Sequence, residues 1–246
     1  MAFFFGPTSL FGQLNSFELL ALPLFVLMGN FLAATPVGAN LFKAAVIWLQ
    51  WLRGGLAIAT VGASAVFGAV SGVSIAGVAA VGSIAVPQML DRGYSRTLAA
   101  GSVVSSGALA MLIPPSVPLI IYGAVSSVSV ADLFIGGIVP GVALALALCV
   151  YIYFRALFNP AEAPMGEQIA YSWQDRMKAI GGIWHAVLLI VLVLGAIYSG
   201  IATPSEAAAF GAVGAFIVAV AIFRCLDLKG IGRVIAASAR MSGAIL

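Results

Sequence analysis

Charge is what this sequence has least of. Only 8% of its 246 residues are Asp, Glu, Lys or Arg, against about 25% in a soluble domain, so water is not the solvent for most of its surface. Histidine occurs once and cysteine twice. Cys149 sits inside an apolar run and Cys225 follows Arg224 at the end of another, with no Cys or His at a ligand-like spacing. Both read as unpaired membrane thiols. The opening MAFFFGPTSLFG has neither a basic n-region nor a small-residue cleavage site, so no removable signal peptide is expected and the first apolar span would direct insertion. A net charge of +3 and a pI near 9.1 invite nucleic acid as a partner, but the Lys and Arg lie in short loops between apolar runs, where they set membrane orientation instead. Nucleic-acid binding is not expected.

What is abundant is hydrocarbon, at 63% hydrophobic residues. Uncharged runs cover Leu133 to Phe154, Ala207 to Phe223, Ala179 to Ser205 with one His, and the longer Gly54 to Leu90 and Thr97 to Ala131. A bilayer core of about 30 Å takes roughly 20 such residues per helix. The expected fold is an all-α polytopic membrane protein. Phe17 to Phe42 reads as its first span, with Pro23 near the start and a break at Gly29 and Asn30, followed by an amphipathic interfacial stretch from Lys43 to Arg53 carrying Trp48 and Trp51.

Gly54 to Leu90 as one helix would be about 55 Å long at 1.5 Å per residue, so it has to turn back. Its middle, FGAVSGVSIAG at Phe67 to Gly77, concentrates Gly and Ser that favour unwinding, which predicts a re-entrant helical hairpin with its tip at Ser71 to Ser74. Thr97 to Ala131 is overlong too, and LIPPSVP at Leu112 to Pro118 removes backbone donors, which predicts a broken transmembrane helix. One hairpin plus one broken crossing places all of Lys43, Arg53, Arg92, Arg96, Arg155, Arg176, Lys178, Arg224, Lys229, Arg233 and Arg240 on one face, cytoplasmic by the positive-inside rule. Asn159 to Met177 is a polar loop on that face. The chain stops at MSGAIL as a further membrane-associated segment opens, so a second, inverted half is expected beyond it.

Irregular backbone in hydrocarbon is tolerated only where protein buries it or a polar cavity adjoins it. The tip offers the hydroxyls of Ser71 and Ser74 and carbonyls around Gly72; the break at Ile113 and Pro114 frees carbonyls near Ala110, because the later prolines cannot donate to them. Neutral oxygens of this kind suit a hard cation such as sodium. Half-helix N-termini after Ser74 and Pro115 favour a substrate carboxylate nearby. Ser-Gly pairs also let membrane helices pack closely, and prolines also merely kink them; the two breakers together favour a site. Lone His185 reads as an interfacial anchor, Glu206 in ATPSEAA as a helix cap with Thr203 and Pro204, and Asp132 and Glu18 as solvated helix ends. Two rivals stand beside this reading: a stand-alone sodium/carboxylate symporter, and an intramembrane serine protease using Ser74 or Ser71 with His185.

FELLALPLFVLMGN (Phe17 to Asn30), GGLA (Gly54 to Ala57), FGAVSGVSIAG, IAVPQMLDRGY (Ile84 to Tyr94), LIPPSVPLIIYG (Leu112 to Gly123), LFIGGIVPG (Leu133 to Gly141) and TPSEAAAFGA (Thr203 to Ala212) together resemble the DctM-like large membrane subunit of tripartite ATP-independent periplasmic (TRAP) transporters, over nearly the whole chain. The resemblance implies an ion-transporter-superfamily-like elevator fold in a bacterial or archaeal cytoplasmic membrane. It also implies no enzymatic activity and no cofactor beyond sodium as coupling ion. The implied partners are a small membrane subunit and a periplasmic binding protein that delivers C4-dicarboxylates, sialic acids or related carboxylates. Residue by residue, Ser71, Gly72, Ser74, Ala110, Ile113 and Pro114 match the family's first sodium site, and Ser116 is a substrate-side candidate. Ala110 stands where Gly is frequent, and Val73 and Gly77 replace commoner polar residues; a second sodium site is not placed. The implied organisation is 1–53 first span and interfacial arm, 54–125 hairpin and broken helix, 126–158 a span, 159–178 the cytoplasmic loop, and 179–246 the start of a second repeat.

Overall fold

The computed structural model describes residues 17–164 and 171–245. The reading of MAFFFGPTSLFG, the side chain of Glu18 and part of the polar loop fall outside that description. A single 3₁₀ turn, Phe17–Leu20, leads into α1, Ala21–Ala33. Pro23 lies in its first turn, where a missing N–H orphans nothing. Contrary to expectation, Gly29 and Asn30 do not break this helix: a Cβ on Gly29 would lie 2.9 Å from the Ser71 carbonyl oxygen, so this glycine serves close packing. The break comes at Ala34 to Pro36. There the Thr35 hydroxyl donates to Leu32 O at 2.6 Å and accepts from Val37 N at 3.3 Å, and Pro36 cannot continue the α1 ladder. The next helix, α2, Val37–Leu49, therefore starts before the expected Lys43 and is bent 68° from α1.

Next come α3, Gly55–Ser71, and α4, Ser74–Asp91, the two arms of the expected hairpin. α5, Arg96–Gly107, tightens into a 3₁₀ turn at Ala108–Met111, unwinds, and resumes as α6, Val117–Ser126. That is the broken helix. α7, Val130–Phe158, is continuous through Pro140; it starts at Ser129, whose hydroxyl accepts from the N–H of exposed Asp132 at 3.3 Å. The polar loop folds back into a helix, α8, Trp173–Gly181, on a capping box in which Ser172 and Asp175 satisfy each other's backbone. α9, Trp184–Tyr198, is bent 52° from α8 at Gly182, so the run from Ala179 to Ser205 is not one straight span. α10, Pro204–Ile217, opens on the expected Thr203/Glu206 capping box and ends in a π turn, Val218–Ile222. α11, Leu228–Ile245, is amphipathic.

Among the described residues, three helices are long and apolar enough to cross a membrane, or up to five if each bent pair is one span. α7 makes the case most plainly. Val139 is 74% exposed and Phe158 75%, a surface that water would penalise and lipid accepts. Because lipid tails are as apolar as Leu, close backbone approach rather than hydrophobicity brings such helices together, and the contacts lie where that predicts. Cβ atoms on Gly68 and Gly72 of α3 would meet Ala110 and the Pro115 carbonyl at 2.8 and 2.7 Å; on α4, Gly82 meets Val103, and on α5, Gly107 meets Val78. Residue numbers rise together between α3 and α5 and oppositely between α4 and α5. The two arms are therefore antiparallel, and the first half of the broken helix lies alongside both.

Candidate functional site

The hairpin tip is two residues long. Gly72 is in the left-handed region at φ +64° and Val73 is extended, a reversal that glycine makes at no steric cost. Ser71 ends α3 fully buried, with its hydroxyl 3.4 Å from both the Val73 N–H and the Val73 carbonyl oxygen. These long contacts leave the oxygen lone-pair capacity. Ser74 opens α4, half-buried.

Across from the tip, prolines decide the electronics of the break. The Ala110 carbonyl would accept from residue 114 in a continuing helix, but Pro114 has no N–H, and Ile113 N–H goes instead to Leu109 O at 2.8 Å. Met111 O faces the same deficit at Pro115, and the Ser116 hydroxyl donates to it instead. Ser116, expected on the substrate side, is thus fully buried and occupied inside the break. Ala110 and Pro114 are buried and Ile113 half-buried. The structure brings tip and break together: Val117 N–H donates to Gly72 O at 3.4 Å, and the Gly72 and Pro115 backbones nearly touch. On the other side α7 closes in, where Cβ atoms on Gly137 and Gly141 would meet Leu112 O at 2.6 Å and the Ile113 side chain at 2.7 Å.

Both half-helices begin without a side-chain cap, at Val73 before α4 and at Ser116 before α6. Ser74 and Val117 line one cavity of about 530 Å³ together with Gly72 and Pro118. Two uncapped helix N-termini therefore face one space, each contributing partial positive charge without a cationic side chain. One element of the site carried no signal in the sequence. The Ser106 hydroxyl donates to Ser64 at 3.0 Å, both being buried, tying α5 to α3 two helical turns before the tip. Only the i, i+4 series Ser64, Gly68 and Gly72 marks that face.

His185 is elsewhere. Its ring is buried between Trp184 and Phe223, with centroids 4.4 and 4.9 Å away, and Nδ1 has no partner. The packing is that of an aromatic cluster at the start of α9. Glu206 is engaged as a cap, accepting from Thr203 N–H and the Thr203 hydroxyl at 2.8 Å.

The sequence that builds this hairpin, broken helix and glycine-lined span matches a known family model over residues 6–246, that of the tripartite ATP-independent periplasmic transporter, DctM component. The chain belongs to the DctM family of TRAP transporter components. That family consists of transporter permeases rather than enzymes, which removes the protease reading. Among its relatives, the C4-dicarboxylate TRAP transporter large permease proteins DctM of Vibrio cholerae serotype O1 and Rhodobacter capsulatus are 41% and 38% identical to it, over 85% and 96% of this chain and 45% and 56% of theirs. The sialic acid TRAP transporter large permease protein SiaM of Vibrio cholerae is 31% identical over 92% of this chain and 52% of its own length. The chain thus spans about half the length of the relatives it matches, as an all-α, multi-pass membrane protein.

Proposed function

We propose that this chain forms part of the large membrane subunit of a sodium-coupled secondary transporter that imports small organic anions handed over by a periplasmic binding protein, with a small membrane subunit beside it in a cytoplasmic membrane. The single observation that carries the proposal is the convergence of the hairpin tip on the helix break: hydroxyls and backbone carbonyls on one side, two uncapped helix N-termini on the other. Sodium sits among the oxygens of Ser71, Gly72, Ser74, Ala110, Ile113 and Pro114, and its charge together with the helix ends draws the cargo's anionic group to the adjoining cavity. Ser116 braces the break rather than touching cargo. Relatives are named for C4-dicarboxylates, sialic acid, ectoine and isethionate, cargos that share a carboxylate or sulfonate. This supports selection for an anionic head and leaves the rest of the cargo to other contacts.

An elevator mechanism requires the hairpin and broken helix to move as one body. The Ser64–Ser106 bond and the interlocking glycines of α3, α4 and α5 supply the stiffness for that. The Lys and Arg face is cytoplasmic on this reading. The test is uptake of labelled carboxylate into proteoliposomes holding the complete subunit and its small partner, with and without the binding protein and a sodium gradient. Uptake that requires both supports the proposal. Uptake without the binding protein identifies a stand-alone symporter instead, and uptake indifferent to sodium overturns the cation site.

A further inference from the structure

Apart from the hairpin and the helix break, there is a second groove. It holds about 520 Å³ between α2 and α8 and is lined by Asn40, Lys43 and Ile47 on the first and Asp175 and Lys178 on the second, with Tyr171 at the rim. The bends of 68° between α1 and α2 and 52° between α8 and α9 turn α2 and α8 out of line with the helices they adjoin, which lets them lie along a bilayer surface. Aromatic side chains mark the same level. Trp48 and Trp173 meet edge to face at 5.9 Å, Trp51 is 58% exposed and Trp173 64%, and exposed tryptophans gather where headgroups meet hydrocarbon. Arg176 lies over the Trp48 ring at 5.6 Å, pinning the two helices together and adding a third cation beside the groove.

Among the described residues the only ion pair is Arg155 with Glu162, so neither Lys43 nor Lys178 pairs with a described carboxylate. Asp175, the one acid among the described residues of the groove, has its carboxylate turned to the Ser172 N–H at 3.1 Å as a helix cap. We infer that this groove is a binding site for an anionic phospholipid headgroup, with the phosphate between Lys43 and Lys178 and Asn40 as an amide donor. The acyl chains run down toward the apolar face around Ile47. Two lysines lining one groove from facing helices, beside the tryptophans, fit a lipid phosphate held at a fixed height, and the net positive charge selects phosphatidylglycerol or cardiolipin over zwitterionic lipid.

The test is native mass spectrometry of the protein purified from membranes, titrated with phosphatidylglycerol and, separately, with phosphatidylcholine. Wild type is compared with Lys43→Gln/Lys178→Gln and with a charge-matched control, Lys229→Gln/Arg233→Gln on α11. One basic residue near an anionic surface is worth about a fivefold change in affinity, so the groove variant loses phosphatidylglycerol affinity about 25-fold while the control changes less than about threefold. Lys43→Arg/Lys178→Arg, which keeps the charge, retains binding and controls for folding. Equal loss in the control, or equal affinity for phosphatidylcholine, overturns the site. So does a groove variant that keeps its phosphatidylglycerol but ceases to copurify with a small membrane protein, which makes the groove a protein-docking face.

Discussion

Replacing Gly72 by alanine perturbs the proposed site at its narrowest point. Gly72 has φ +64°, a conformation that costs an L-residue about 1–2 kcal/mol. The added methyl would also lie 2.7 Å from the Pro115 carbonyl oxygen, a backbone atom that cannot swing aside, so tip and break have to separate. Overpacking of this kind costs typically 1–3 kcal/mol, and together the two effects amount to about 2–5 kcal/mol. If the cation site needs tip and break in register, the sodium concentration for half-maximal uptake rises by about 30-fold or more, since 1.4 kcal/mol is about a tenfold change. The control is Gly101→Ala on α5, where nothing lies within 4 Å and φ is not positive; its effect is a helix gain of about 0.5–1 kcal/mol with unchanged sodium response. The assay is sodium-titrated uptake in proteoliposomes alongside thermal unfolding in detergent. If Gly72→Ala shows the sodium dependence and melting temperature of Gly101→Ala, then the close approach of Gly72 and Pro115 has no part in the site.

Other consequences are smaller. Ser106→Ala leaves Ser64 without its partner across α3 and α5 and is expected to lower stability by about 1–2 kcal/mol. Ser106→Cys, which fills the space without an equal bond, falls between, as read by the temperature of half-loss of monodisperse protein. Thr203→Ala removes the α10 cap and costs about 1 kcal/mol by the same measure, with sodium dependence unaltered. Glu162 is held below the usual carboxylate range by its hydrogen bond to Arg155. The contribution of a lowered folded-state value is present above the unfolded carboxyl pKa and fades as pH falls through the folded one. Wild type is thus expected to lose a little stability on acidification below about pH 4.3, and Glu162→Gln to lack that component of the pH profile. Identical profiles for the two would refute the pairing.

How much was legible depended on what kind of signal a residue carries. The hairpin and the broken helix were readable because Gly72 and the Pro114, Pro115 and Pro118 cluster act on the backbone locally. Thr203 and Glu206 announced their cap for the same reason. Gly29 misled because a glycine inside an apolar run looks like a breaker, while its actual work is to admit the Ser71 carbonyl from another helix. The true bend, at Thr35 and Pro36, needed the threonine hydroxyl to take over the ladder. Ser116, a substrate-side candidate by resemblance, donates its hydroxyl to the Met111 carbonyl that Pro115 leaves without an N–H partner. The Ser64–Ser106 bond joins residues 42 apart in sequence, a pairing that helical spacing alone does not contain.

The most direct measurement of the central claim is a sodium titration of thermal stability, with choline as the replacing cation, on wild type, Ser71→Ala and Ser74→Ala. A site built from the hairpin tip and the helix break predicts saturable stabilisation of the wild type by sodium, with the half-saturating concentration raised about tenfold or more in both variants. Stabilisation that is absent from the wild type, or that follows the same curve in all three proteins, would contradict it.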